Sequence, residues 1–218
     1  MQLNMKRITH FKKIWALAAG CGLAAFQASA QVIPIDNLGS TGAVYNTLFS
    51  PSTFGQNSGW TVTSGSIDQI GTYWQSPDGY NSVDMDGDNP GSIQTIIDVP
   101  TAGAVTIDFA LSGNPDGGIP LKTLSVDLGS AAAQTFTYTT GANDHGNMMY
   151  ASESAVFIVP AGNLILSFSS LDASSSPFGP VVGAISGSEV SSVPDGGFSM
   201  ALLGMSSMAL GWLRRKMN

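Results

Sequence analysis

Short stretches of alternating apolar and polar residues recur through the middle of the chain, separated by turn-forming clusters. Val105, Ile107, Phe109 and Leu111 fall on one side of an extended backbone and Thr106, Asp108 and Ala110 on the other, the period of two that marks a strand with one covered face. The same alternation runs through Ile93, Thr95, Ile97 and Val99, through Leu124, Val126 and Leu128, through Phe136 and Tyr138, and through Leu164, Leu166 and Phe168. Between these runs stand Ser76-Pro77-Asp78-Gly79, Asn89-Pro90-Gly91, Val99-Pro100-Thr101 and Asn114-Pro115-Asp116-Gly117-Gly118, each carrying residues that favour tight turns. The pattern predicts about ten strands in two packed sheets, an all-β sandwich. Residues 31 to 59 are less regular: Val32, Ile33 and Ile35 fit an edge strand that tolerates Pro34, and the Gly/Ser/Asn-rich remainder reads as loop. Ser169 to Pro180 also reads as loop.

The two ends follow a different logic. Lys6, Arg7, Lys12 and Lys13 precede an apolar stretch from Ile14 to Phe26, and Ala28-Ser29-Ala30 closes it with small residues, the order of a secretory signal peptide cut before Gln31. Cys21, the single cysteine, admits a rival reading as a lipoprotein signal, although Ala18 suits that signal poorly and the apolar run continues past it. At the other end Val193-Pro194-Asp195-Gly196-Gly197 leads into an apolar run from Phe198 to Leu213 and then Arg214, Arg215 and Lys216. Such a run, rising about 1.5 Å per residue, makes a short membrane span whose basic end stays cytoplasmic. The expected organisation is a signal peptide over 1–30, one domain over 31–192 and a sorting segment over 193–218.

This tail resembles the VPDGG variant of the PEP-CTERM sorting domains of Gram-negative bacteria. The resemblance implies an exosortase as processing partner beside signal peptidase, a transient inner-membrane helix, and a product released to the cell surface or exopolysaccharide matrix.

Charge narrows the function of the middle. All fifteen acidic residues but Asp195 fall between the two signals, leaving fourteen carboxylates against Lys122 alone. A domain this acidic lacks the cations that displace counterions from nucleic acid, so that partner class is excluded. Catalysis finds little support: His145 is the one histidine outside the leader, and neither a Gly-x-Ser-x-Gly elbow nor a metal-binding histidine pair is present. A glycosidase needs only two carboxylates, yet no pair stands out.

Gly59-Trp60-Thr61-Val62, Ile70-Gly71-Thr72-Tyr73-Trp74-Gln75, Pro90-Gly91-Ser92-Ile93, Gly113 to Gly118 and Lys122-Thr123-Leu124 together resemble the choice-of-anchor C family over roughly residues 59 to 190. That resemblance implies a galactose-binding-like jelly-roll β-sandwich of the carbohydrate-binding type. The family's opening and closing acidic positions are missing here: Leu38-Gly39-Ser40 stands at one, Val181-Val182-Gly183-Ala184-Ile185 at the other. The structural calcium of related sandwiches is therefore not carried over. Asp84, Asp86 and Asp88 have the spacing that opens calcium loops, but Asn89 replaces the turn glycine and Thr95 the bidentate acid, so they rank as weak metal candidates or a solvated sheet edge.

Tyr73 and Trp74 are the sugar-stacking candidates, since an aromatic face can lie against the apolar face of a pyranose. If their segment is extended, one of the two rings must turn inward. Asn114 and Asp116 are the candidate polar contacts, in a loop whose composition also suits a plain tight turn. The expected function is noncatalytic polysaccharide binding outside the cell, without an obligatory cofactor. The rival is a matrix or adhesion protein cross-linked through divalent cations such as calcium.

Overall fold

The computed structural model describes residues 30–39, 41–173 and 176–190. The leader residues up to Ser29, Ala28 among them, and the sorting segment from Val193 onward lie outside the described residues. The expected all-β architecture is what folds. Thirteen strands follow one another among the described residues: β1 (Ala30–Ile33), β2 (Tyr45–Phe49), β3 (Ser52–Phe54), β4 (Trp60–Ser64), β5 (Ser66–Ile70), β6 (Ser82–Asp84) and β7 (Ser92–Val99). Then come β8 (Gly103–Gly113), β9 (Leu121–Leu128), β10 (Gln134–Thr139), β11 (Ala151–Val159), β12 (Gly162–Ser170) and β13 (Pro180–Val190).

They form two antiparallel sheets. The larger has seven strands in the order β11-β8-β13-β6-β5-β2, with β1 also pairing to β13. The smaller has six, β10-β9-β12-β7-β4-β3. From β7 to β9 and again from β10 to β13 the chain crosses repeatedly between the sheets, the winding of a jelly roll.

The alternation seen in the sequence sets which side of each strand is covered. Val105, Ile107, Phe109 and Leu111 of β8 all enter the core, as do Ile93, Ile97 and Val99 of β7 and Leu124, Val126 and Leu128 of β9. Trp60 is fully buried and lies against Phe54 and Phe168, with ring centroids 6.4 and 6.0 Å away, while Phe109 meets Phe168 edge-on at 5.4 Å. Each such side chain contributes roughly 1.5–3 kcal/mol by leaving water.

Residues 31 to 59 hold more strand than expected. β1 ends before Pro34, and β2 and β3 lie beyond it, where loop was read. β2 is the edge of its sheet, and its outward residues Tyr45 and Phe49 are about half exposed, so no strong alternation marks it.

A second, smaller core covers part of the larger sheet's outer face. Ile70 of β5 and Val181 of β13 project outward there and are capped by Trp74 and Met148 from the long β5–β6 and β10–β11 connections. Those connections are tied together: Gln75 N donates to His145 O at 2.9 Å, and the Tyr150 hydroxyl donates to Gln75 O at 3.1 Å. This outer layer builds the site.

Candidate functional site

Antiparallel register places Tyr45 opposite Ile70 and Thr47 opposite Asp68, so β2 and β5 together offer a two-by-two patch on the outer face. Around it rise the Tyr73–Trp74 turn, Gly87 and Asp88, Asn114 and Asp116, and Pro177 and Phe178, enclosing an open hollow of about 210 Å³. Two other hollows, lined around Asp36 and Ile96 and around Asp108 and Glu153, offer no exposed aromatic ring.

The structure brings Tyr73, Trp74, Asn114 and Asp116 to one place but gives them different jobs. Asp116 is the hub. Its Oδ2 accepts the Tyr73 hydroxyl at 3.0 Å and its Oδ1 meets His145 Nε2 at 2.7 Å, which fixes both rings beside the hollow. Tyr73 stands with its ring centroid 4.5 Å from His145 and 5.6 Å from Tyr45. The bond to Asp116 holds the Tyr73 phenol protonated, raising its pKa above the usual value. Tyr45, a residue 48 % exposed, completes the aromatic wall. Sequence reading missed Tyr45, which sits in a stretch that gives no strand signal, and weighed His145 only as a catalytic group, reading its stretch as loop.

Trp74 is not the open platform that an exposed ring would provide. It is 5 % exposed, packs with Ile70, Met148 and Val181, and donates Nε1 to Ser82 Oγ at 2.9 Å. Of the two adjacent rings it is the one that turned inward. A large indole with a polar partner at hand gains more by closing the outer core than by facing water.

Asn114 is a brace. Its Nδ2 donates to Asp84 Oδ2 at 2.6 Å, its Oδ1 accepts Asp116 N at 2.8 Å, and its backbone N donates to Gly179 O at 2.9 Å. Asp84 in turn accepts Gly179 N and Asp86 N on Oδ1, both at 3.0 Å. Burial pushes the Asp84 carboxyl well above its usual range, against the donors from Asp86 and Asn114. Asp84 thus staples the 114–118 and 176–179 segments to the end of β6.

The solvated sheet edge expected at Asp84 and Asp86 is corrected: both are fully buried, because these two segments fold over them, while Asp88 remains exposed at the rim of the hollow. The three do not converge as ligands. Among the described residues no group of three or more histidine, cysteine or acidic side chains is arranged to hold a metal ion.

Lys122 is the second strut. It is fully buried, and its Nζ donates to Gly117 O at 3.0 Å and Phe178 O at 2.5 Å, joining the same two segments from below. Burial lowers its pKa, opposed by the nearby charges of Asp172, Asp84 and Asp86. Gly118 sits over it at φ 76°, where a Cβ would come within 2.9 Å of Nζ, so both the turn and the strut require glycine.

No family model matches the chain. Among curated proteins, halomucin of Haloquadratum walsbyi is 48% identical over 50 residues, 23% of this chain but a share of halomucin's length that rounds to 0%. Similar solved structures include a family 35 carbohydrate-binding module of Cellvibrio japonicus Abf62, at 16% identity, TM-score 0.44, and covering 68% of this chain and 98% of that one. A family 35 module of Clostridium thermocellum aligns at 10% identity and TM-score 0.41 over 75% of this chain and 100% of its own. One of Paenibacillus barcinonensis aligns at 13% identity and TM-score 0.43 over 67% and 98%.

Proposed function

We propose that this chain is an exported, noncatalytic module that binds polysaccharide in the hollow between Tyr45, Tyr73 and Asp116. The observation that carries the reading is the pairing of two accessible tyrosine rings with fixed hydrogen-bonding groups on a rigid sheet face, the chemistry a pyranose needs. Thr47, Asp68 and Asp88 supply further oxygen partners for hydroxyls. Asp116 is already held by Tyr73 and His145, and Asn114 is committed to Asp84.

Gln31, the first residue after the expected cut, pairs with Glu189, so β1 starts beside the end of β13. The hollow lies near Asp84, which is registered against Val181 at the other end of β13, roughly 30 Å away at about 3.3 Å per residue. Release by an exosortase to the cell surface or exopolysaccharide matrix completes this reading.

A glycan array probed with the full chain in a zwitterionic, sugar-free detergent tests it. Binding that is lost in Tyr73→Ala supports the proposal; an array without signal, or signal untouched by that substitution, refutes it.

A further inference from the structure

The charge of the hollow points to the class of sugar it takes. Asp68, Asp88 and Asp116 all line it, and among the described residues no lysine or arginine does. Lys122, the one lysine or arginine among the described residues, is buried beneath with its ammonium on two backbone carbonyls. The His145 imidazole is turned to Asp116. A ligand carboxylate or sulfate entering here meets three like charges and no basic donor, an arrangement that rejects the wrong partner by repulsion.

The same groups favour a cation. Asp68 Oδ1 accepts the Thr47 hydroxyl at 2.5 Å, while Oδ2 has no protein donor among the described residues. Burial lifts the Asp68 carboxyl above its usual range despite Thr47, and the Asp88 charge adds to that rise. An ammonium placed between Asp68 and Asp88 offsets their mutual repulsion, whereas a neutral hydroxyl meets only one of them as a donor. We infer that the glycan held in this hollow carries no carboxylate or sulfate, and that a free amine on its sugar strengthens the hold. This rests on the polysaccharide-binding reading above and narrows it to neutral and amine-bearing chains.

The test compares four probes on the full chain in zwitterionic detergent with chelator present: deacetylated chito-oligosaccharide, its N-acetylated counterpart, a cello-oligosaccharide and an oligogalacturonate. Buffer at roughly pH 5.5 protonates most of the sugar amine, which is more acidic than an ordinary alkylamine, and keeps exposed carboxylates ionised. The amine-bearing probe is expected to bind about fivefold tighter than its acetylated counterpart at low salt, with the gap closing near 1 M salt, where the screening length falls to about 3 Å. Asp88→Asn, at an exposed position, and Asp68→Asn, at the floor of the hollow, each narrow the ratio between the amine-bearing and acetylated probes at low salt. Oligogalacturonate binding as tight as the neutral probes overturns the inference but leaves a sugar site standing. An amine that confers no advantage, or an advantage unchanged in both variants, overturns the amine preference. Failure of all four probes to bind overturns the underlying reading as well.

Discussion

Asp86 offers a direct measure of the strain stored behind the site. It is fully buried, and neither carboxylate oxygen has a hydrogen-bond partner among the described residues. Burial pushes its carboxyl up to about 6; the Ser170 hydroxyl, short of hydrogen-bond geometry, and Lys122 oppose the rise, and Asp172 adds to it. Asp84 and Asp172 face the same pocket of buried charge and are raised as well. Measured from 3.8, the ordinary value, a rise of about two units corresponds to about 3 kcal/mol. The sign follows from proton binding. The folded state holds the Asp86 proton more tightly than the unfolded state, so this contribution is full below about pH 3.8, falls away through about pH 6 and is absent above.

Asp86→Asn cannot titrate, and its buried amide lacks partners at a cost of about 1 kcal/mol. The variant is therefore expected to be about 1 kcal/mol less stable than the parent near pH 4 and about 2 kcal/mol more stable near pH 8. Urea unfolding followed by tryptophan fluorescence across that range reads the difference directly. A difference that is flat with pH, or one that falls as pH rises, refutes the reasoning.

Other substitutions separate the roles of neighbouring residues. Trp74→Ala should cost about 3–5 kcal/mol in thermal or urea unfolding, since the indole fills the outer core; an unchanged stability would return it to the surface. Tyr73→Phe should keep most glycan affinity by isothermal titration, because the ring remains, whereas Tyr73→Ala should lose roughly tenfold or more. Lys122→Met should destabilise by about 2–4 kcal/mol and raise amide exchange in residues 114–118 and 176–179, the two segments its ammonium joins. Gly179→Ala should destabilise by about 1–3 kcal/mol in the same assay, because a Cβ there would come within 2.5 Å of Asp86 Cγ.

Strands with one face in the main core were legible in the sequence because burial there is strictly periodic. β7, β8, β9, β10 and β12 fall where the alternation of Ile93 to Val99, Val105 to Leu111, Leu124 to Leu128, Phe136 with Tyr138, and Leu164 to Phe168 places them. β2 was not legible, since an edge strand with exposed Tyr45 and Phe49 carries no such period. The aromatic and Asn-Pro-Asp-Gly-Gly segments did converge on one hollow, as their chemistry promised, but which ring faces outward depended on the β10–β11 connection folding over β5. That contact joins Met148 to Ile70, far apart in the chain, and no local pattern encodes it. Burial of Asp84 and Asp86 has the same origin: Asn114 and Gly179, which bond Asp84, and Lys122, whose charge acts on Asp86, come from three other segments.

Sugar binding in the hollow on the outer face of β2 and β5 can be read from the backbone around it. Hydrogen exchange of the full chain, with and without saturating deacetylated chito-oligosaccharide, tests it most directly. The account predicts added protection in residues 45–47, 68–75, 86–88 and 114–118, and none on the opposite sheet around Ile96 and Ile165. Protection centred on that opposite face, or none at all at saturation, would contradict it.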